Sequence, residues 1–327
     1  MIEKKNTNHN SKFMETSQNI IKNLTSRSKP NFSQISKELK ITRKTLSTYF
    51  DEMKEKKIIR QFTININPNI RPKLNYVLME IKTNPQEPHL VEQLKIIPQI
   101  VMLDGIFGEF SLVALFIFKD AEEFNRVLIQ MDSIMAHSYF KKYQIIETIK
   151  VYKTNGIKLE DFPPRLNSEL DDLDYMILDI LRNEQGFSPL STYEIKDLLH
   201  DKYESGTPSQ STIFKRIKRL KKANILLNYA INFCPSKIGY QGKYIVRIKP
   251  KDPSKYDHIA RLLEKNNNIT DLFRIGEQYG LIAIVRMKNV RDYGEFIKIL
   301  YETNDIEDTW TNFVLDELIP YTNFLIN

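Results

Sequence analysis

Apolar positions along the chain follow two periods, and the period switches at regular intervals. Three-to-four spacing, as in Leu46, Phe50 and Met53 or Phe124, Val127, Leu128 and Met131, predicts amphipathic helices. Runs rich in β-branched and aromatic residues, such as Ser111 to Phe118, predict strands. The pattern opens with helices over Phe13–Ser26, Phe32–Lys40 and Thr42–Lys56. It continues with strand Leu74–Lys82, helix Glu87–Ile96, strands Ile100–Phe107 and Phe110–Phe118, helix Asp120–Met135 and strand Tyr139–Tyr152. Beyond Pro163-Pro164, whose rings stop regular structure, a second set follows a further basic helix. It reads strand Gln241–Lys249, helix Pro253–Asn266, strands Ile269–Glu277 and Tyr279–Met287, helix Val290–Tyr301 and strand Ile306–Leu318.

The two sets are one pattern written twice. Leu46, Phe50 and Met53 fall on Ile213, Ile217 and Leu220 at an offset of 167 positions, and Thr42, Ile58 and Pro68 fall on Ser209, Ile225 and Pro235 at that same offset. Such a register, kept without gaps, is the mark of internal duplication. The fold class predicted is α+β in two repeats. Each is a winged helix-turn-helix followed by a ferredoxin-like βαββαβ domain. The predicted boundaries are a disordered tail over 1–11, helix-turn-helix domains over 12–70 and 169–237, ferredoxin-like domains over 71–155 and 238–327, and a linker over 156–168.

In each repeat a hydroxyl, Thr42 or Ser209, stands where it can cap the orphan amides of the third helix. Short connections before these helices suit the turn of a helix-turn-helix, although Asp201–Pro208 lengthens the second. Opposite the buried stripe lie Arg43, Lys44, Ser47 and Thr48 in one copy and Gln210 and Ser211 in the other, where a recognition helix meets base edges. The second helix adds Lys215, Arg216, Lys218, Arg219, Lys221 and Lys222 with no acid among them, whereas the first interleaves Asp51, Glu52 and Glu55. Phosphate contact is therefore assigned to Lys215, Arg216 and Arg219.

Composition agrees with a polyanionic partner. Lys and Arg number 48 against 41 Asp and Glu, a net charge of +7. The single cysteine, Cys234, cannot form an internal disulfide or a thiolate zinc site, which predicts a reducing compartment. No apolar run is long enough to span a bilayer. The expected localisation is cytoplasmic, on the nucleoid, with no membrane partner.

With these residues in place, the chain resembles the Lrp/AsnC (leucine-responsive regulatory protein) family of transcription regulators. Thr42 to Ile59 and Ser209 to Leu226 look like its recognition helix and following residues. Gly108-Glu109-Phe110-Ser111 and Gly276-Glu277-Gln278-Tyr279 look like the turn near which family members hold amino-acid effectors. The resemblance implies binding of double-stranded DNA, a small-molecule effector at those two turns, and self-association through the sheets. Ser111 and Gly280 replace the family's turn aspartate, so amino acids are not expected to bind in the family's usual mode. Siroheme decarboxylases share the layout but carry a histidine on the strand after the first sensing-domain helix, which neither Ile100–Asp104 nor Ile269–Arg274 contains. The five scattered histidines, the lack of a phosphate-cradling loop or nucleophile elbow, and the absence of any motif for a cofactor predict a chain that is not an enzyme. An assembly module without DNA affinity is the third reading. Trp310 and the other aromatics are read as packing. Sheet residues Val77, Met79, Val113, Leu115, Val246, Ile248, Ile282 and Ile284 are expected on open apolar faces that pair repeat to repeat.

Overall fold

In a computed structural model of the chain, the described residues are 2–26, 28–70, 74–165, 169–202 and 208–326, with backbone alone for 2–11. The first half carries α1 (Ile2–Leu24), α2 (Phe32–Glu38), α3 (Arg43–Glu55), β1 (Ile59–Ile66), β2 (Asn75–Lys82), α4 (Pro88–Lys95), β3 (Ile100–Ile106), β4 (Leu112–Phe118), α5 (Ala121–Ala136), β5 (Lys142–Thr154) and β6 (Ile157–Lys158). The second carries α6 (Asp172–Asn183), α7 (Thr192–Lys202), α8 (Gln210–Lys222), β7 (Leu226–Phe233), β8 (Gly242–Pro250), α9 (Tyr256–Leu263), β9 (Ile269–Ile275), β10 (Leu281–Met287), α10 (Arg291–Glu302) and β11 (Ile306–Ile319). The order β-α-β-β-α-β thus occurs twice, each time after three helices and a strand. No helix among the described residues is long and apolar enough to cross a membrane.

The chain divides into two compact units that cut across its halves. The first unit gathers Met1–Asn67, Phe162–Tyr240 and Thr322–Asn327. Here β1 and β7 pair antiparallel, with Phe62 opposite Ile231 and Ile64 opposite Tyr229. Ile20, Ile21, Leu24, Leu46, Phe50 and Met53 pack on Phe62, Ile231 and Phe233, and the C-terminal Phe324 closes the same core. Two expectations change in this region. Polar residues read as a disordered tail lie within α1, because elongation from the packed turn at Phe13–Leu24 costs little once that turn is fixed. Part of the stretch read as linker, Ile157–Lys158, forms a hairpin with Lys153 and Thr154, and so belongs to the second unit. Of the longer connection before α8, residues 203–207 lie outside those described.

The second unit, Pro68–Asp161 with Gln241–Tyr321, is a β-barrel. Its strands run β2-β4-β3-β11-β8-β10-β9-β5, and a further β2–β5 pairing closes the ring, with β6 attached to β5. Each half supplies four consecutive strands of this ring. The seams between them are the antiparallel pairs β3–β11 and β5–β9. Closure removes every free edge in the ring, the liability that open sheets otherwise manage with charge or bulges.

Successive strand residues point to opposite faces, and the ring sorts them. Val77, Met79, Ile81, Ala114 and Phe116 pack with Val127, Met131 and Met135 of α5. Val246, Ile248, Ala283 and Val285 pack with Ile259 of α9 and with Phe296 and Leu300 of α10. The expectation that Val77, Met79, Val246 and Ile248 occupy open faces is therefore corrected: helices cover them. Val113, Leu115, Ile282 and Ile284 have the other parity, and they too are buried. They line the inside of the ring, where the four strands of one half face the four of the other, and the β3–β11 and β5–β9 seams join the two halves edge to edge as well.

Candidate nucleic-acid interface and ligand pocket

Both recognition-helix candidates are built in the same way. Thr42 has extended backbone and its Oγ1 accepts from the Thr45 amide at 3.0 Å; Ser209 does the same for Thr212 at 3.2 Å. Each hydroxyl satisfies one orphan donor of its helix. Leu46, Phe50 and Met53 are buried in α3, as are Ile213, Ile217 and Leu220 in α8. This leaves Thr42, Arg43, Lys44, Ser47 and Thr48 exposed on one helix and Ser209, Ser211, Lys215, Lys218 and Lys222 on the other.

The remaining candidates on α8 are engaged within the unit. Gln210 Nε2 donates to Thr192 Oγ1 at 3.0 Å. Arg216 holds Asp171 at 2.5 Å and Asp174 at 3.0 Å, and Arg219 also pairs with Asp174. Asp171 and Asp174 form the capping box of α6, so these two arginines tie α8 to the start of α6. The Asp171 carboxyl is held below its usual range: burial opposes this, and Arg216 with the Asp174 amide outweighs it. The two arginines thus have an intramolecular role that the charge run alone did not reveal. The uncommitted cations of the helix are Lys215, Lys218 and Lys222.

The second site lies in the barrel. A cavity of about 250 Å3 is lined by Glu80, Ile106, Glu109, Phe110, Gln144, Arg247, Glu277, Gln278, Tyr279, Trp310 and Asn312. The two turns singled out by sequence thus converge on one pocket, contributing Glu109 and Phe110 from one and Glu277, Gln278 and Tyr279 from the other. Gly108, Ser111 and Gly276 support the turns without lining it. Ser111 Oγ accepts from the Thr83 amide at 2.7 Å and fixes the end of β2. Gly280 has a φ of +78°, a left-handed conformation that favours glycine, and its carbonyl accepts from Arg274 at 2.7 Å. An aspartate is thus replaced at both turns by residues with structural work of their own.

Charge organises the pocket floor. Arg247, 7% exposed, bonds Glu80 at 2.8 Å and Glu277 at 2.5 Å, and Asn312 donates to Glu80 at 3.4 Å. Burial would lower the guanidinium's proton affinity, and the two carboxylates more than reverse that. At the rim, Lys142 pairs with Glu109 at 2.7 Å and lowers its proton affinity. Tyr279 donates to Asp308 at 3.0 Å. Trp310, read from sequence as packing, is instead 51% exposed and forms part of the pocket wall. Glu80, Gln144, Arg247 and Asn312 were missed. Their signal was present in Glu80 and Arg247, charged residues set between apolar neighbours, Met79 and Ile81 in β2 and Val246 and Ile248 in β8.

Deeper in the barrel a second polar group surrounds Asp104. Lys243 reaches Asp104 at 2.6 Å and Glu317 at 3.3 Å, while Arg286 holds Glu317 at 2.7 Å. Asp104 and Glu317 face each other across the β3–β11 seam. Burial pushes the Asp104 carboxyl up against the pull of Lys243. Burial acts on Glu317 in the same sense, but Arg286 and Lys243 bring it down to about 2.

Comparison with known proteins gives two kinds of likeness. Residues 244–324 match the Lrp/AsnC ligand binding domain. An uncharacterized HTH-type transcriptional regulator of Pyrococcus horikoshii is 30% identical over 149 residues, which are 45% of this chain and 93% of that protein. The HTH-type transcriptional regulator FL11 of Pyrococcus furiosus is 30% identical over 146 residues, 45% of this chain and 89% of that protein. Over the whole length, the siroheme decarboxylase NirDL shares the fold, with a TM-score of 0.59 at 12% identity, covering 95% of this chain and 94% of that one. The same enzyme in complex with an iron-uroporphyrin III analogue gives 0.58. The exclusion of catalysis drawn from sequence is therefore corrected: the whole-chain architecture is shared with an enzyme, and missing motifs do not argue against activity on it. Regulators matched almost end to end, together with the ligand-binding domain in the second half, make this chain a member of the Lrp/AsnC family.

Proposed function

We propose that the chain is a DNA-binding transcription regulator made of two tandem Lrp/AsnC repeats, each a helix-turn-helix followed by a ferredoxin-like βαββαβ domain. The observation that carries this reading is the pair of hydroxyl-capped helices α3 and α8, whose outward faces leave Arg43, Lys44, Ser47, Ser211, Lys215, Lys218 and Lys222 free of apolar cover. Base edges are read by Arg43, Lys44, Ser47 and Ser211, and phosphates are neutralised by the three lysines. The barrel pocket holds the effector. Its volume lies below the ~300–1,000 Å3 of sites for drug-sized ligands, which suits a small polar molecule set between Phe110, Tyr279 and Trp310.

Three neutralised phosphates contribute a slope of about −2.7 to log K against log salt on duplex DNA. Replacing Lys215, Lys218 and Lys222 by serine should flatten the measured slope by about that amount. An unchanged slope would contradict the reading.

A second reading, decarboxylation of a siroheme-like tetrapyrrole, is favoured by the whole-chain likeness to NirDL. Anaerobic incubation with siroheme followed by mass spectrometry separates the two. Loss of carbon dioxide from the macrocycle establishes the enzyme; an unaltered macrocycle with saturable DNA binding establishes the regulator.

A further inference from the structure

Glu80 and Arg247 are equivalent positions. They are 167 residues apart, the offset that relates the two patterns, and they occupy matching places on β2 and β8, which begin at Asn75 and Gly242. In the ring, β2 and β8 are four strands apart in either direction, so they form opposite walls. The two side chains nevertheless meet at 2.8 Å, each only 7% exposed. A residue that meets its own equivalent sits at the local two-fold of the barrel. In a symmetric pair of identical repeats, the same side chain would meet itself there.

We propose that this buried pair of opposite charge makes each repeat accept the other repeat and reject a copy of itself. Two first repeats would bring Glu80 against Glu80. They would also leave Asp104 without its cation, because Tyr76 stands where the second repeat has Lys243. Two second repeats would bring Arg247 against Arg247, each screened by its own Glu277, so the rejection is weaker there than between two first repeats, where Phe110 stands at the equivalent of Glu277. Lys243 does not discriminate in that case, since Asp271 is the equivalent of Asp104 and would be offered to it. Recognition therefore rests on positions 80 and 247. A buried ion pair contributes little net stability, whereas a buried charge without its partner is strongly destabilising, so the rejection is stronger than the attraction, and specificity follows from the wrong pairing that is penalised. The inference rests on the two-repeat reading of the chain and is independent of what the pocket or the recognition helices bind.

The test uses the full-length chain in a Glu277→Gln background, so that a reversed side chain at position 247 does not meet Glu277. Glu80→Arg and Arg247→Glu should each lower the thermal unfolding midpoint by ~10 °C. The double reversal should recover most of that loss. The two single variants, unfolded and refolded together, should form a two-chain species by exchanging repeats, while neither does so alone. Single variants that melt with their parent, or a double reversal no better than the singles, would overturn the proposal. If neither single variant folds, a soluble double reversal supports it and an insoluble one overturns it. Rescue by the double reversal without any mixed two-chain species overturns it through the repeat reading, since the ion pair would then stand without interchangeable repeats.

Discussion

Thr42 and Ser209 each satisfy one amide that its helix cannot, so truncation leaves a local and readable cost. Thr42→Ala and Ser209→Ala should each lower stability by about 1 kcal/mol, measured by urea denaturation. Losses near zero at both sites would show that water caps these helices equally well. Glu317 makes a stronger statement. Its folded value of about 2 lies below the ~4.3 of a free glutamate. A depressed carboxylate stabilises the fold above its unfolded value, and that stabilisation is lost as pH falls through the folded value. About 3 kcal/mol should therefore be present above pH ~4.3 and lost towards pH ~2. Glu317→Gln should melt earlier than the parent at pH 7 and converge on it in acid; a difference that does not change with pH would contradict the Arg286–Glu317–Lys243 grouping.

Legibility differed sharply between kinds of element. Helices α3 and α8 could be read because Leu46, Phe50 and Met53, with their counterparts, bury one stripe while the other faces stay polar. Strand existence was equally plain, but strand facing was not. In β2 every residue from Tyr76 to Ile81 is buried, Glu80 included, because helices cover one side and the ring closes over the other. Period-two alternation marks a face only when one side meets water, so Val77 and Met79 could not be told from Tyr76 and Leu78. The site divides in the same way. Glu109, Phe110, Glu277, Gln278 and Tyr279 line the pocket from turns that carry local sequence signals, whereas Gln144, Arg247 and Asn312 join it only through pairing distant in sequence. On α8 the charge run is plainly basic in sequence, yet the acids that claim Arg216 and Arg219 come from the start of α6, 42 to 45 residues earlier. Neutralising Asp174 by Asp174→Asn should therefore destabilise the α6–α8 packing, seen as a lower unfolding midpoint. An unchanged midpoint would return both arginines to the phosphate-binding set.

For the whole molecule, the proposed tandem repeat puts two unlike helices, α3 and α8, into one chain. One barrel unit joins both βαββαβ segments within a single chain, and one unit holds both α3 and α8, with β1 and β7 paired between the two halves. A regulator assembled from two copies of one chain presents two identical readers. Here the two proposed readers differ, with Arg43, Lys44 and Ser47 on α3 against Ser211, Lys215 and Lys218 on α8. Since protein symmetry is mirrored in site symmetry, the operator should be asymmetric. The most direct test of this account is footprinting of the full-length chain on sheared DNA from its own genome at moderate salt. Two unlike readers in one chain should give a recurrent protected site with two unlike half-sites about one helical turn, ~34 Å, apart. Uniform protection with no recurrent sequence, or no protection above background, would contradict it.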